Sequence, residues 1–348
     1  MTKTAAAPFL YCDIETLPSQ DPQILADIET RFPLPVLDLD GIRPDGRLKD
    51  EAKIAEDLAK KRDAAVADHA AALEKRLANI DEAYRKTALD GSSGHLASIA
   101  WAFDEEVVVA LDNENCRPID YVSTPDGELE DAEDVTGQGL TMFDELFGHD
   151  CLDDTLDGER ELLTKFFGEI EETLEVWAGA AAVDGSANHA IPEIPVIVAH
   201  HADFDIRFIW QRAIALGVPV PAWWPVNASK YASDRVQDTM VMWAGHGNRI
   251  GLDRLCRALG VAGKTDMDGS MVWDAVREGR IAEVVEYNRG DVRRLRSVHR
   301  RMRGLNPLLI DIDPAAERIA SSGGNLDTYV VGQIVAGVGL VSMGEGEV

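Results

Sequence analysis

A run of apolar and aromatic residues near the N-terminus predicts a short buried strand over residues 9–15. Apolar and aromatic side chains follow one another here, with prolines at positions 8 and 18 on either side. Asp13 and Glu15 end the segment and, two residues apart in a strand, should point to the same face. Two carboxylates that leave an apolar strand together repel each other, so a divalent cation between them is expected.

Three more strands follow from similar apolar runs. Residues 95–101 and 106–111 are predicted to form a β-hairpin with a turn at 103–105. Residues 196–199 are predicted to form a buried strand that leads through a polar turn into a helix ended by Gly217. That turn places Asp203 and Asp205 near a helix start, where the helix dipole favours carboxylates.

Helical periodicity or composition predicts five further helices, over residues 48–89, 158–177, 251–259, 271–277 and 281–303. The first is rich in Ala, Lys and Glu and is either continuous or broken into a hairpin. It forms either a wall or lid over substrate or an elaboration of the scaffold. The last carries Tyr287 and Asp291, which are four residues apart and therefore lie on one helix face.

The remaining segments are predicted to be irregular. Residues 16–48 are rich in proline, and residues 112–158 are strongly acidic and typical of a solvated or partly disordered loop. A calcium site in the acidic segment is an alternative, although the spacing of a calcium loop is missing. Residues 305–348 are expected to form a loosely ordered or capping tail.

These elements predict a single α/β domain with a mixed sheet flanked by helices. The domain is expected to cover residues 1–304, with a helical insertion at 18–93 and an acidic insertion at 112–158. Of the 348 residues, 45% are hydrophobic, which is enough for a full core. The net charge of −28 favours solubility and repels nucleic acid at long range.

Cysteine usage and apolar runs predict a cytoplasmic protein with no membrane span. The four cysteines are scattered without a CxxC pair, which argues against zinc and against a disulfide framework. The first residues lack the apolar length of a signal peptide, and the run at 329–341 is short and interrupted by glycines.

Four carboxylates from three distant segments could meet in one site: Asp13, Glu15, Asp205 and Asp291. Oxygen ligands of this kind suit two hard divalent cations, Mg²⁺ or Mn²⁺. Two such ions can clamp the attacking and leaving oxygens of a phosphodiester.

Three sequence motifs resemble those of the DnaQ-like (DEDDy) 3′–5′ exonuclease superfamily, which has an RNase H-like fold. FLYCDIET is similar to its first motif, VIVAHHADFDIRFIW to its second, and EYNRGDV to its third in the form with tyrosine four residues before aspartate. Glu286 stands where another subclass carries histidine. The connecting segments are similar to stand-alone exonucleases related to the proofreading domain of family B DNA polymerases. The resemblance covers about residues 8–20, 95–111 and 159–303.

The resemblance implies a role for each site residue. Asp13 would bridge both ions, Glu15 and Asp291 would complete one ion site, and Asp205 would support the other, partly through water. Tyr287 would orient the attacking water, since a phenol with a pKa near 10 is a poor base.

The resemblance also implies contacts with the terminal nucleotide. The backbone around Thr16 and the Leu17 side chain would meet it, and Phe204 would pack on its sugar or base. The second motif usually has asparagine three residues before the phenylalanine, and this chain has His201 there. Imidazole can still donate one hydrogen bond, so altered substrate binding without loss of activity is expected. Asp203 is an alternative ligand to Asp205, but the Phe-Asp pairing favours Asp205.

The expected activity is 3′–5′ hydrolysis of single-stranded DNA or DNA 3′ ends to nucleoside monophosphates, with RNA as a possible substrate. The alternatives are an exoribonuclease and a non-catalytic acidic adaptor, the latter disfavoured because all four acids and the tyrosine are present. No protein partner can be inferred.

Two other features have two interpretations each. Trp223 and Trp224 either belong to the core or stack on bases. A row of arginines on the last helix either tracks phosphates or balances acidic loops: Arg289, Arg293, Arg294, Arg296, Arg300, Arg301 and Arg303.

Overall fold

The computed structural model describes residues 7–113, 150–183, 194–226, 234–264 and 267–326. The chain divides into two compact units. The first comprises residues 1–15, 96–116 and 156–348, and the second comprises residues 16–95 and 117–155.

One mixed sheet of five strands is the framework of the fold. Its strands are β1 (Phe9–Leu17), β2 (His95–Phe103), β3 (Val109–Asp112), β4 (Val196–Ala199) and β5 (Val236–Asp238). Their order in the sheet is β3-β2-β1-β4-β5. β4 runs parallel to both β1 and β5, whereas β2 and β3 are antiparallel. The predicted mixed sheet is confirmed. Strand β5 was not predicted, because its three residues are too few to show a period.

Ten helices accompany these strands in the described part of the chain. They are α1 (Pro22–Thr30), α2 (Glu51–Arg85), α3 (Asp150–Val183), α4 (Ala202–Leu216), α5 (Thr239–Ala244), α6 (Leu252–Ala258), α7 (Val272–Arg277), α8 (Ile281–Met302), α9 (Leu309–Ile312) and α10 (Pro314–Ser321). Short 3₁₀ turns follow α2 and precede α7. No helix in the described ranges is long and apolar enough to cross a membrane.

Strand alternation assigns the two faces of the sheet to different helices. On one face, Leu10 and Cys12 of β1 pack in a core with α3 and α4, which includes Phe166 and Phe208. On the other face, Tyr11 of β1 packs in a cluster with α8. Because the side-chain period of a strand is two, Asp13 and Glu15 share the face of Tyr11 and therefore point toward α8.

The second unit contains a helix that the sequence interpretation missed. Residues 16–48 were predicted to be irregular, but residues 22–30 form α1. Asp21 caps this helix by accepting a hydrogen bond from the Gln23 amide, and Pro22 occupies its first turn. Aspartate followed by proline is a helix-start signal as well as a loop signal, and here the helix forms.

The helical insertion is one continuous helix, not a hairpin. α2 runs for 35 residues from the cap at Asp50, whose side chain accepts from the amides of Ala52 and Lys53. Within the same unit, Tyr84 donates to the Ser19 carbonyl and Arg76 donates to the Phe32 carbonyl.

The acidic insertion differs from expectation where it is described. Residues 150–158, predicted to be a loop, are the first turns of α3. The acidic residues 126–134, with the calcium alternative, lie outside the described residues. In the tail, α9 and α10 are ordered helices, and Asp311 of α9 pairs with Arg296 of α8 at 2.5 Å. The predicted domain limit at residue 304 stays a prediction.

Candidate active site

Three carboxylates converge between the sheet and α8. Asp13 and Glu15 come from β1, and Asp291 comes from α8. One oxygen from each of the three lies within 4.8 Å of the others. Glu15 and Asp291 are buried and Asp13 is half-buried. The period of the strand and the packing of α8 thus bring together residues almost 280 positions apart in sequence.

Asp205 lines the same cavity from the third segment. β4 ends beside β1, and α4 begins at Ala202, so the first turn of α4 points back toward Asp13 and Glu15. The backbone N–H of Ile14 donates a hydrogen bond to the buried Asp205 carboxylate. The cavity has a volume of about 390 Å³ and is lined by all four acids.

Burial and mutual repulsion raise the pKa values of these acids. Loss of hydration is the largest cause for both Asp13 and Glu15, and the charge of Asp291 is the next, so each pKa lies well above its usual range. Burial likewise raises the pKa of Asp205 to about 8. A cluster of carboxylates with raised pKa values gains from a cation that keeps them ionised, and its oxygen ligands fit Mg²⁺ or Mn²⁺.

Tyr287 joins this cluster through two hydrogen bonds. It accepts from the ammonium group of Lys264, and it is hydrogen-bonded to Asp291, one turn later in α8. Burial, and then the charge of Asp291, raise the pKa of the phenol well above its usual value. Tyr287 therefore keeps its proton at neutral pH.

Two cations near the acids were not identified from the sequence as site residues. Lys264 lies in the loop after α6 and faces Tyr287, and its charge opposes the rise in the pKa of Glu15. Arg294 donates to Asp291 from Nε at 3.0 Å and from Nη2 at 2.5 Å. The spacing of Arg294, three residues after Asp291, was a usable signal, whereas nothing local in the sequence links Lys264 to Tyr287.

The turn between β4 and α4 is braced by Asp238, another residue that the sequence reasoning missed. The Asp238 carboxylate accepts from the amides of His201 at 3.2 Å and Ala202 at 3.0 Å, and it also caps α5. His201 has φ of 71°, in the left-handed region. Asparagine and histidine are both enriched there, so the departure from the usual asparagine preserves the backbone conformation.

The predicted nucleotide contacts have different environments. His201 and Phe204 both line the cavity, with ring centroids 6.2 Å apart and planes 8° from parallel. Leu17 is fully buried, and its contact with a nucleotide stays a prediction. Thr16 is half-buried, and its backbone contact stays a prediction.

Packing favours one side of each alternative that the sequence left open. Asp205 lines the cavity and Asp203 does not, which favours Asp205 as the ligand. Trp223 and Trp224 pack against Phe167 in the core, contrary to a base-stacking role. The arginines of α8 are engaged with protein groups, chiefly carboxylates, as the charge-balancing interpretation requires.

Comparison with known proteins supports the same chemistry. Residues 189–309 match the model of a family described as a predicted 3′–5′ exonuclease related to the exonuclease domain of PolB. The matched range contains Asp205, Tyr287 and Asp291, whereas Asp13 and Glu15 lie outside it. The resemblance inferred from the motifs is thereby confirmed for the second and third motifs. A search of curated proteins finds no match to the chain.

Proposed function

We propose that this protein is a metal-dependent 3′–5′ exonuclease that hydrolyses DNA phosphodiesters and releases nucleoside monophosphates. The observation that carries the proposal is the approach of Asp13, Glu15 and Asp291 to within 4.8 Å, with Asp205 lining the same cavity. The match of residues 189–309 to a predicted exonuclease family supports it.

The four carboxylates are assigned to two divalent cations, Mg²⁺ or Mn²⁺. Their raised pKa values describe a site in which negative charge is poorly compensated, as expected where cations complete it. Bound ions of this kind would acidify water and stabilise negative charge on the phosphate. The protein contributes the fixed positions of the ligands on β1, α4 and α8.

Tyr287 is assigned the orientation of the attacking water. Because the pKa of its phenol is raised, Tyr287 keeps its proton and acts through hydrogen bonding, not as a general base. Lys264 and Asp291 both hydrogen-bond to the phenol of Tyr287, so the ring has a defined position.

The cavity size favours removal of terminal nucleotides. Its volume of about 390 Å³ lies near the lower end of the roughly 300–1,000 Å³ typical of ligand pockets. Such a space suits one terminal nucleotide with its scissile phosphate. His201 and Phe204, with nearly parallel rings at this cavity, are proposed to contact that nucleotide.

DNA is the preferred substrate because the matched family is related to a polymerase exonuclease domain. The second candidate is an exoribonuclease with the same site. Digestion of 5′-labelled single-stranded DNA, duplex DNA and RNA in parallel distinguishes these candidates. Cleavage of RNA alone would replace the first proposal with the second.

The decisive experiment compares substitutions of two aspartates, one that lines the cavity and one that does not. With Mn²⁺ or Mg²⁺, wild-type protein is expected to shorten the labelled strand from its 3′ end, and a chelator is expected to stop this. Asp291→Asn should abolish cleavage and the stabilisation of the fold by Mn²⁺, measured by thermal unfolding. Asp203→Asn is the matched control, since Asp203 lies outside the cavity, and both properties should be retained. Failure to cleave any nucleic acid would favour the acidic adaptor instead.

A further inference from the structure

We infer that the substrates are short single-stranded oligonucleotides and the last few nucleotides of longer strands, held without a groove that tracks the phosphate backbone. This inference rests on the proposed exonuclease function and specifies the substrate class of the same site. It follows from the state of the arginines on α8 and from the charges around the cavity.

Most of the arginine row on α8 is already paired with carboxylates within the protein. A phosphate-binding track needs cations that face solvent and are not held by carboxylates. Five of the seven arginines pair with carboxylates: Arg289 with Glu286, Arg293 with Glu286 and Glu317, Arg294 with Asp291, Arg296 with Asp311, and Arg300 with Glu105. Arg301 donates to Asn306, and Arg303 lies over the Phe9 ring at 4.4 Å.

Most of the row also points away from the site. With 3.6 residues per turn, Tyr287, Asp291 and Arg294 share one face of α8, whereas Arg289 and Arg293 lie on another. Arg294, on the site face, is committed to Asp291 through two hydrogen bonds. Arg296, the deepest member, is fully buried and donates to backbone carbonyls of the β2–β3 turn.

Among the described residues that line the cavity, Lys264 is the one lysine or arginine. Lys264 lines it together with five carboxylates: Asp13, Glu15, Asp205, Asp253 and Asp291. Arg249 and Arg254 are exposed and flank the cavity-lining residues 251–253 in the sequence. We assign these two arginines to about two phosphates beyond the scissile one, so the protein binds only a short length of the strand.

The charge of the whole chain acts in the same direction. At a net charge of −28, each added phosphate of a longer substrate meets further repulsion. A long strand therefore gains no affinity from its length, in contrast to proteins that use a positive groove.

Salt dependence gives this inference a measurable form. For single strands, the logarithm of the binding constant changes by roughly −0.7 per phosphate contact for each unit of log salt concentration. Seven free arginines would give a slope of about −5, whereas two contacts give about −1.4. Screening of the overall repulsion makes the slope shallower still.

The test measures kcat/KM for 5′-labelled DNA strands of about 4 and about 40 nucleotides, the range over which a groove of typical site size would be filled. Metal concentration is held constant while monovalent salt is varied. The two lengths should differ by less than about threefold, and the salt slope should be shallower than about −2. A larger preference for the long strand, or a steeper slope, would overturn the inference while leaving the exonuclease proposal intact. Absence of cleavage at every length would instead overturn the function on which the inference rests.

Two matched arginine variants identify which arginines bind the substrate phosphates. Arg249→Gln, beside the cavity-lining segment, should raise KM equally for both lengths. Arg289→Gln, in the paired row, should leave KM unchanged for both, with thermal unfolding used to verify the fold. A rise in KM for the long strand alone in Arg289→Gln would reveal a phosphate track along α8 and contradict the inference.

Discussion

Lys264 donates a hydrogen bond from its ammonium group to the phenol oxygen of Tyr287, and the same ammonium lies 4.9 Å from the centre of the tyrosine ring. The two residues are 23 positions apart and come from a loop and from α8. This contact fixes the phenol beside Asp291, and it places a positive charge in a cavity lined by five buried or half-buried carboxylates.

Replacing Lys264 by Met should slow cleavage by about tenfold or more, since a hydrogen bond to a charged group contributes about 1.5–3 kcal/mol. The loss should fall on kcat, measured in single-turnover reactions with saturating metal. Lys165→Met is the matched control, because Lys165 pairs with Glu161 on the surface of α3. Equal rates for Lys264→Met and wild type would remove Lys264 from the site.

Asp253 is predicted to position Lys264. Its carboxylate accepts from the Lys264 backbone N–H at 3.0 Å, and a side chain at Gly263 would clash with that carboxylate. Asp253→Ala should therefore slow cleavage severalfold, whereas Asp253→Asn keeps an accepting oxygen and should retain most of the rate.

A double-mutant cycle separates positioning from an independent role. If Asp253 acts only through Lys264, adding Asp253→Ala to Lys264→Met should cause little further loss of kcat. Fully additive losses would show that Asp253 contributes to the site by another route.

The buried pair of Arg212 and Glu159 should contribute strongly to stability. Arg212 donates to both Glu159 carboxylate oxygens at 2.7 and 2.8 Å, and the Leu96 amide donates to the same carboxylate, so α3, α4 and β2 meet there. Glu159→Ala leaves Arg212 as a buried charge and should cost about 3–5 kcal/mol of unfolding free energy.

The control for that experiment lies on the same helix. Glu161 pairs with Lys165 in solvent, and Glu161→Ala should cost no more than about 1 kcal/mol. Urea unfolding of both variants measures the difference, and equal costs would contradict the predicted importance of burial.

His299 should make the fold sensitive to acid. In the neutral ring, Tyr11 donates to its Nδ1 at 2.9 Å, and its Nε2 donates to Gln237 at 2.7 Å. Burial lowers the pKa of His299 to about 4, against about 6.5 in an unfolded chain. Because the folded state binds the proton less readily, stability from this residue is present above pH 6.5 and is lost as pH falls toward 4.

The size of that loss is about 3 kcal/mol, from roughly 2.5 pKa units at 1.36 kcal/mol each. Urea unfolding of wild type and His299→Gln between pH 7 and 4 measures it. The difference between the two proteins should shift by that amount in favour of the variant at low pH. A constant difference across this range would show that His299 does not titrate as predicted.

The sequence by itself determined the framework and the identity of the acids. Strand and helix periods located β1, β4, α4 and α8, and the motifs singled out Asp13, Glu15, Asp205, Tyr287 and Asp291. These inferences succeed because periodicity and motif spacing are local properties of the chain. Local signals failed at α1, where a proline-rich segment begins a helix, and at β5, which is too short to show a period.

Only the tertiary structure decided which charges meet. The contacts of Lys264 with Tyr287, Asp238 with the turn at His201, and Asp253 with the Lys264 loop join segments between 11 and 37 residues apart. The pairing of the arginine row also depended on tertiary structure. Some of its carboxylate partners lie on α8 itself, but others lie in the β2–β3 turn and in the C-terminal helices. A charged side chain is identified by the sequence, but whether it is free to bind a phosphate depends on the carboxylates that folding places beside it.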